Sequence, residues 1–472
     1  MNLYYKFRNS SLDIAPLGLY EGPDCSDSVF TPSGARVLAW LNNHTKIHFC
    51  QIDAFGETVF AVDPEATPGD CVHPVARDIP SFIGLLVHCK NAAIVAGSYQ
   101  WSRQLFDELI RYVKPGMKAR SVMQALENLY HPPVIEDAYG AMEALRNSFD
   151  YRTIPLHQDY FEWCPIRPGR PKWEVGFDTG FSDYCQQGQA GKELAVKRSF
   201  LWQGEDWGVP AVYLCESGIV TDCYMEVPAD RIRSFLNKWD GRDEQTMSVE
   251  DQMYQQLENP LFMDTTGLLL VNDKEFRCRK TFSLVWNPYE SNSWQARRTL
   301  EHYALDRSKG YLLRRMFFQR KGKYPPIRTL QLVLGADPVC VPGQRFLAPE
   351  AGESLRFTHP DTGIEHTLTV ISQTREALNP NFLSNHPCCY TKLAYELNPI
   401  LEPKWVQIAD CDPGDPWKGS PDGPSAMFFT GQQPAEGFSA CSSLRYTPAK
   451  QISWRMIFRQ KLRPDIRVRL LP

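Results

Sequence analysis

Apolar and polar positions alternate with a period of two near the start of the chain. Ile47, Phe49 and Gln51 alternate with His48, Cys50 and Ile52, a Phe55-Gly56-Glu57 break follows, and Thr58 to Asp63 resumes the run. Such a period sends successive side chains to opposite faces of a strand, so residues 30–63 are expected to form a hairpin with a glycine-containing turn. The period then lengthens to that of a helix. Asp78 can cap a helix whose first turn carries Pro80 and whose Phe82, Ile83, Leu86 and Cys89 share one face. Further helices are expected from Ser102 to the Lys114-Pro115-Gly116 stop, from Ser121 to Tyr130, and over about 137–147.

Residues 151–192 lose any period. Pro155, Pro165, Pro168 and Pro171 are followed by Gly176, Gly180, Gly188 and Gly191, which predicts a linker or irregular segment. Strand patterns return at Leu194–Trp202, Ala211–Cys215 and Gly218–Val227, and Ile232, Phe235, Leu236 and Trp239 then fall at helical spacing. From Arg328 onward, short strands recur between Pro/Gly turns, at Thr329–Leu334, Ser354–Thr358, Glu365–Ile371, Tyr390–Leu397, Trp405–Ala409, Ala426–Thr430 and Ser453–Phe458. The expected architecture is a multi-domain α+β protein. It comprises an α+β domain over 1–150, the segment 151–192, a middle α/β region over 193–327, and an antiparallel β-sandwich over 328–472.

Length supports several domains, because one core rarely grows past about 250–300 residues and the chain has 472. No apolar run approaches the roughly 20 residues a membrane span needs, and no apolar stretch follows Lys6 and Arg8 as in a secretory leader. The 14 cysteines include no CxxC pair, which fits reduced, mostly buried thiols. A cytoplasmic location and no membrane partner are the expectations. The net charge of −4 is unevenly spread. Arg297 to Arg328 holds ten Lys/Arg against two acids, and Lys450 to Arg469 holds seven against one, so the remainder is acidic.

No GxGxxG, GxSxG, HExxH or kinase motif occurs, so no catalytic or cofactor-binding residue is assigned and no cofactor is expected. Gly188-Gln-Ala-Gly-Lys192 has the wrong glycine spacing for a phosphate loop, and Asp410 to Asp415 lacks the glycine and glutamate of a calcium loop. Surface candidates remain. His359 and His366 flank a Pro360-Asp361-Thr362-Gly363 turn and can share a strand face, but two ligands fall short of the four of a structural zinc site, so no metal is expected there. Arg314, Arg315, Arg320 and Lys321, interleaved with Tyr311, Phe317, Phe318 and Tyr324, could meet phosphates and bases, or could form an amphipathic edge strand.

Thr58-Val-Phe-Ala-Val-Asp63-Pro64, Val72-His73-Pro74-Val75-Ala76 and Asp78-Ile-Pro-Ser-Phe82-Ile-Gly-Leu85-Leu86 together resemble the closing strand–helix part of the SUKH superfamily. The usual N-terminal helices of that family are not evident in residues 1–30. The resemblance implies an intracellular protein-binding scaffold, of the kind used in toxin immunity or regulation, with another protein as partner. Two further classes stay open: a nucleic-acid-associated accessory protein using 297–328 and 450–469, and an enzyme whose site carries no recognisable motif.

Overall fold

The computed structural model describes residues 3–41, 46–66, 69–164, 167–169, 173–177, 179–181, 190–242, 247–320, 326–378, 387–401, 405–412 and 438–471. It is a mixed α+β protein whose strand pairings are all antiparallel among the described residues. The chain forms two compact units. One comprises Met1–Ala229 with Phe276–Ile327, the other Asp230–Glu275 with Arg328–Pro472. The boundaries expected at 150 and 193 therefore fall inside the first unit.

In the first unit, Leu19–Tyr20, Ala35–Leu41, His48–Ile52, Val59–Val62 and Val72–Ala76 form a sheet in chain order. All five residues of His48–Ile52 are buried, so the alternation in the sequence separates two cores rather than core from solvent. Phe49 and Ala61 pack with the helices Ile79–Cys89, Met117–Tyr130 and Ala138–Ser148 through Phe82, Leu126 and Met142. Cys50, Phe60 and Val62 face the opposite way, onto Ile154, Tyr160 and Cys164. The first part of the segment expected to link domains thus covers the second face of this sheet, and it holds the short helical turns Tyr151–Thr153 and Tyr160–Trp163.

The helix caps follow the sequence. Asp78, Ser102 and Asp137 each accept a backbone N–H three residues on, from Ser81, Leu105 and Gly140. The Asp78 bond is 2.7 Å and satisfies a donor with no partner in its own helix. Asp78→Ala is expected to cost about 1 kcal/mol. Urea unfolding should show the loss, and Asp78→Asn, which keeps the acceptor, should recover most of it.

A second sheet of this unit has the order Lys280–Trp286, Gly310–Gln319, Gly218–Val227, Glu205–Cys215, Lys192–Trp202. The expected middle α/β region is corrected here. Its strands run antiparallel and have no parallel crossover units, so the region is α+β. Gly310–Gln319 is a central strand buried over nine of its ten residues.

In the second unit, Leu330–Ala336 pairs with Thr265–Val271 on one side and Ile466–Leu471 on the other. A three-stranded sheet, Val339–Leu347, Ser453–Gln460, Val406–Asp410, and a four-stranded one, Ser354–Thr358, Glu365–Ala377, Cys389–Asn398, Phe438–Cys441, contribute to one core around Trp454, Leu368 and Leu393. Val339–Leu347 had no expected counterpart because Pro342 and Gly343 interrupt its pattern; the pairing with Ser453–Gln460 shifts register between Pro342 and Arg345. The strand expected at Ala426–Thr430 lies outside the described residues. The basic runs divide between the units, 297–327 in the first and 450–469 in the second.

Candidate anion-binding site

Two helices of the first unit present polar and aromatic side chains at helical spacing. Tyr139, Glu143 and Arg146 lie at i, i+4 and i+7 on Ala138–Ser148, and Trp294, Arg297, Arg298 and Glu301 at i, i+3, i+4 and i+7 on Trp294–Tyr303. With Asp70, His73, Tyr99, Tyr151, Gly169 and Arg307 they line a cleft with a cavity volume of about 60 Å³. That is room for a few waters or for one small anion. Four arginines face three carboxylates, so the lining carries a net positive charge when His73 is neutral.

Most of this charge is paired. Arg297 is ion-paired with Asp70 and also donates to the Tyr99 carbonyl. Arg307 donates to Glu143 at 3.0 Å and to Glu301. Arg298 lies over the rings of Trp294 and Trp173, at 5.6 and 5.4 Å. Arg146 differs. Its Nη1 donates to Ser98 Oγ at 3.0 Å, and among the described residues it makes no ion pair. Burial makes its charge more costly and lowers its proton affinity, though a guanidinium remains cationic at neutral pH.

His73 sits at the back of the cleft, stacked on Tyr99 at 4.0 Å. Its Nε2 is 2.8 Å from the Asp70 carbonyl and 3.4 Å from Asp70 Oδ1, which assigns the ring proton to Nε2. Nδ1 then accepts from the Tyr151 hydroxyl at 3.3 Å. Burial lowers the pKa of His73, with Asp70 opposing, so the ring is neutral at pH 7. Burial alone would raise that of Asp70, but Arg297 and His73 outweigh it and hold the carboxyl below its ordinary range.

Four of the sequence-derived candidates, Arg314, Arg315, His359 and His366, are buried, which corrects their surface assignment, and none of the four lines this cleft. Arg315 is 2% exposed and Arg314 7%. The ladder sets Arg315 opposite Asp222, which receives Nε at 2.8 Å and Nη2 at 2.7 Å. Tyr303 donates to Asp222 at 2.6 Å, and Tyr213 and Trp173 extend the chain of bonds. Arg314 donates to Ser283 at 2.7 Å. Neither arginine is displayed for phosphates. Arg320 is part-buried at the strand end, where its backbone N–H bonds to Ser217, and Lys321 lies outside the described residues.

His359 and His366 do come together, with ring centroids 6.3 Å apart, and Gly363 takes the positive φ its turn requires. They are not surface residues. Both are 3% exposed, packed against Phe357 and Phe458. His366 Nδ1 donates to the Pro399 carbonyl at 2.8 Å, whereas His359 Nδ1 accepts the Asp361 N–H at 3.3 Å. Among the described residues no group of three or more His, Cys, Asp or Glu is arranged to hold a metal ion, and none of the helices is long and apolar enough to cross a membrane.

No protein-family model matches the chain, and neither a curated protein nor a solved structure is significantly similar to it.

Proposed function

We propose that the chain is a binding protein whose first unit takes up a phosphate-like anionic group carried by its partner. The observation that carries this reading is Arg146, a part-buried cation on the wall of a basic cleft whose one hydrogen bond among the described residues goes to a neutral hydroxyl. Enclosed charges are ordinarily paired, and a guanidinium fork suits a tetrahedral oxyanion. Nucleic-acid recognition through 297–328 has less support, since four of its cations, Arg297, Arg298, Arg314 and Arg315, are buried.

Two finer expectations belong to the same proposal. Residues 59–62, 72–76 and 79–89 are strand, strand and helix in the order the SUKH resemblance implies, which supports a protein partner. The two C-terminal sheets that share the core around Trp454 support a β-sandwich.

The test is titration calorimetry with inorganic phosphate at low salt. Binding should weaken as salt screens the cleft. Arg146→Gln should lower affinity by about 10-fold or more, the worth of one charge-assisted hydrogen bond. Stability should stay level or rise in this variant, because an unpaired enclosed charge is removed. Equal affinity in parent and variant would remove the reading.

A further inference from the structure

We infer that the cleft is also a reaction site, in which Tyr151 attacks a bound phosphate ester while His73, oriented by Asp70, takes the phenolic proton. The inference rests on the anion-binding reading and deepens it. A site that only held an anion would need cations and donors. This one adds a hydroxyl in contact with a ring nitrogen whose other nitrogen is fixed by a carboxylate residue. Nucleophile, base and orienting acid stand in series, which is the arrangement that activates a hydroxyl for covalent catalysis.

Three observations carry it. The first is the order of the bonds. His73 Nε2–H is committed to Asp70 at 2.8 Å (carbonyl) and 3.4 Å (carboxylate), leaving only the Nδ1 lone pair, and that lone pair meets Tyr151 at 3.3 Å. The second is location. Tyr151, His73 and Arg146 line the same cleft. Negative charge developing on the transferred group would meet a cation already in place. The third is how the phenol is seated. Gly169, at φ +109°, lies so close that a Cβ there would fall 2.3 Å from Tyr151 Cβ, so its backbone packs against the base of the Tyr151 side chain. The neutral state of His73, a consequence of burial, leaves Nδ1 able to accept the proton.

The chemistry balances without a metal or a redox partner. In the first step the Tyr151 oxygen bonds to phosphorus as the bond from phosphorus to the leaving oxygen breaks. The phenolic proton passes to His73 Nδ1 and then to the leaving oxygen. In the second step water bonds to phosphorus, the Tyr151 oxygen leaves, and a water proton returns to it through His73. The sum is ester plus water giving alcohol plus phosphate.

The experiment uses the full chain with p-nitrophenyl phosphate as probe, following p-nitrophenol release and, in parallel, inorganic phosphate binding by calorimetry. The parent should release product. Tyr151→Phe should lower the rate by about 10²–10⁴-fold with phosphate still bound. His73→Asn should do the same if it folds. Should it fail to fold, acid-quenched parent protein examined by mass spectrometry supplies the second readout: phosphate on Tyr151. Release unchanged in Tyr151→Phe would overturn the inference. So would a parent that binds phosphate but releases nothing, and that outcome would leave the binding reading intact. A parent that fails to bind phosphate would overturn both.

Discussion

Replacing Arg315 with Met is expected to lower the stability of the first unit by about 3–5 kcal/mol, the usual cost of stranding one member of a buried ion pair. Asp222 would be left 3% exposed with its two guanidinium bonds gone, still accepting from Tyr303. The guanidinium also donates to the Gly180 carbonyl and lies over the rings of Phe181 and Trp173, so several elements lose a shared anchor. Burial alone would lower the proton affinity of Arg315, but Asp222 more than reverses it. Removing both charges, as Arg315→Met with Asp222→Asn, should restore much of the loss, because the penalty lies in the unpaired charge. Urea unfolding and amide exchange of Gly310–Gln319 would measure it. A single variant within about 1 kcal/mol of the parent would show that water already reaches this pair.

This pair also marks how far the sequence could be read. Local signals were legible: Asp78 with Pro80 set the start of Ile79–Cys89, and the strand expected at Gly218–Val227 has those bounds in the structure. The arginines of Gly310–Gln319 were misread as an exposed basic face because the partner of Arg315 is 93 residues away and reaches it only through strand pairing. The cleft was hidden for the same reason. A helix was expected over about 137–147 but none at Trp294–Tyr303, and Asp70 and Arg297 are 227 residues apart. For the histidine hairpin, the shared face followed from the period of two. The burial did not, since Phe458 comes from a distant strand. Patterns within one element are local, whereas partners and burial are properties of the assembled core.

The Asp70–Arg297 pair gives the second large effect, and it carries a pH signature. Asp70→Asn would leave Arg297, 8% exposed, without its carboxylate and should cost about 3–5 kcal/mol at neutral pH. Two opposing influences act on Asp70. Burial would raise its pKa, and Arg297 with His73 would lower it; the geometry favours the cations, and the result is a carboxyl below its ordinary 3.8. A depressed carboxylate contributes stability that is fully present above 3.8 and is lost only as pH falls through the folded value. Between pH 7 and 5 this contribution is therefore constant. His73 and His48 act in that window instead. Burial lowers both below 6.5, so the unfolded chain gains protons there that the folded chain refuses, and stability falls as pH drops below 6.5. Asp70 is what opposes the lowering at His73, so in Asp70→Asn the histidine moves further down and the acid loss extends further. The gap in stability between parent and variant should then hold or widen from pH 7 to 5, measured by urea unfolding across that range. A gap that closes there would mean that the folded variant takes up protons more readily than the folded parent, so that Asp70 is not what opposes the lowering at His73.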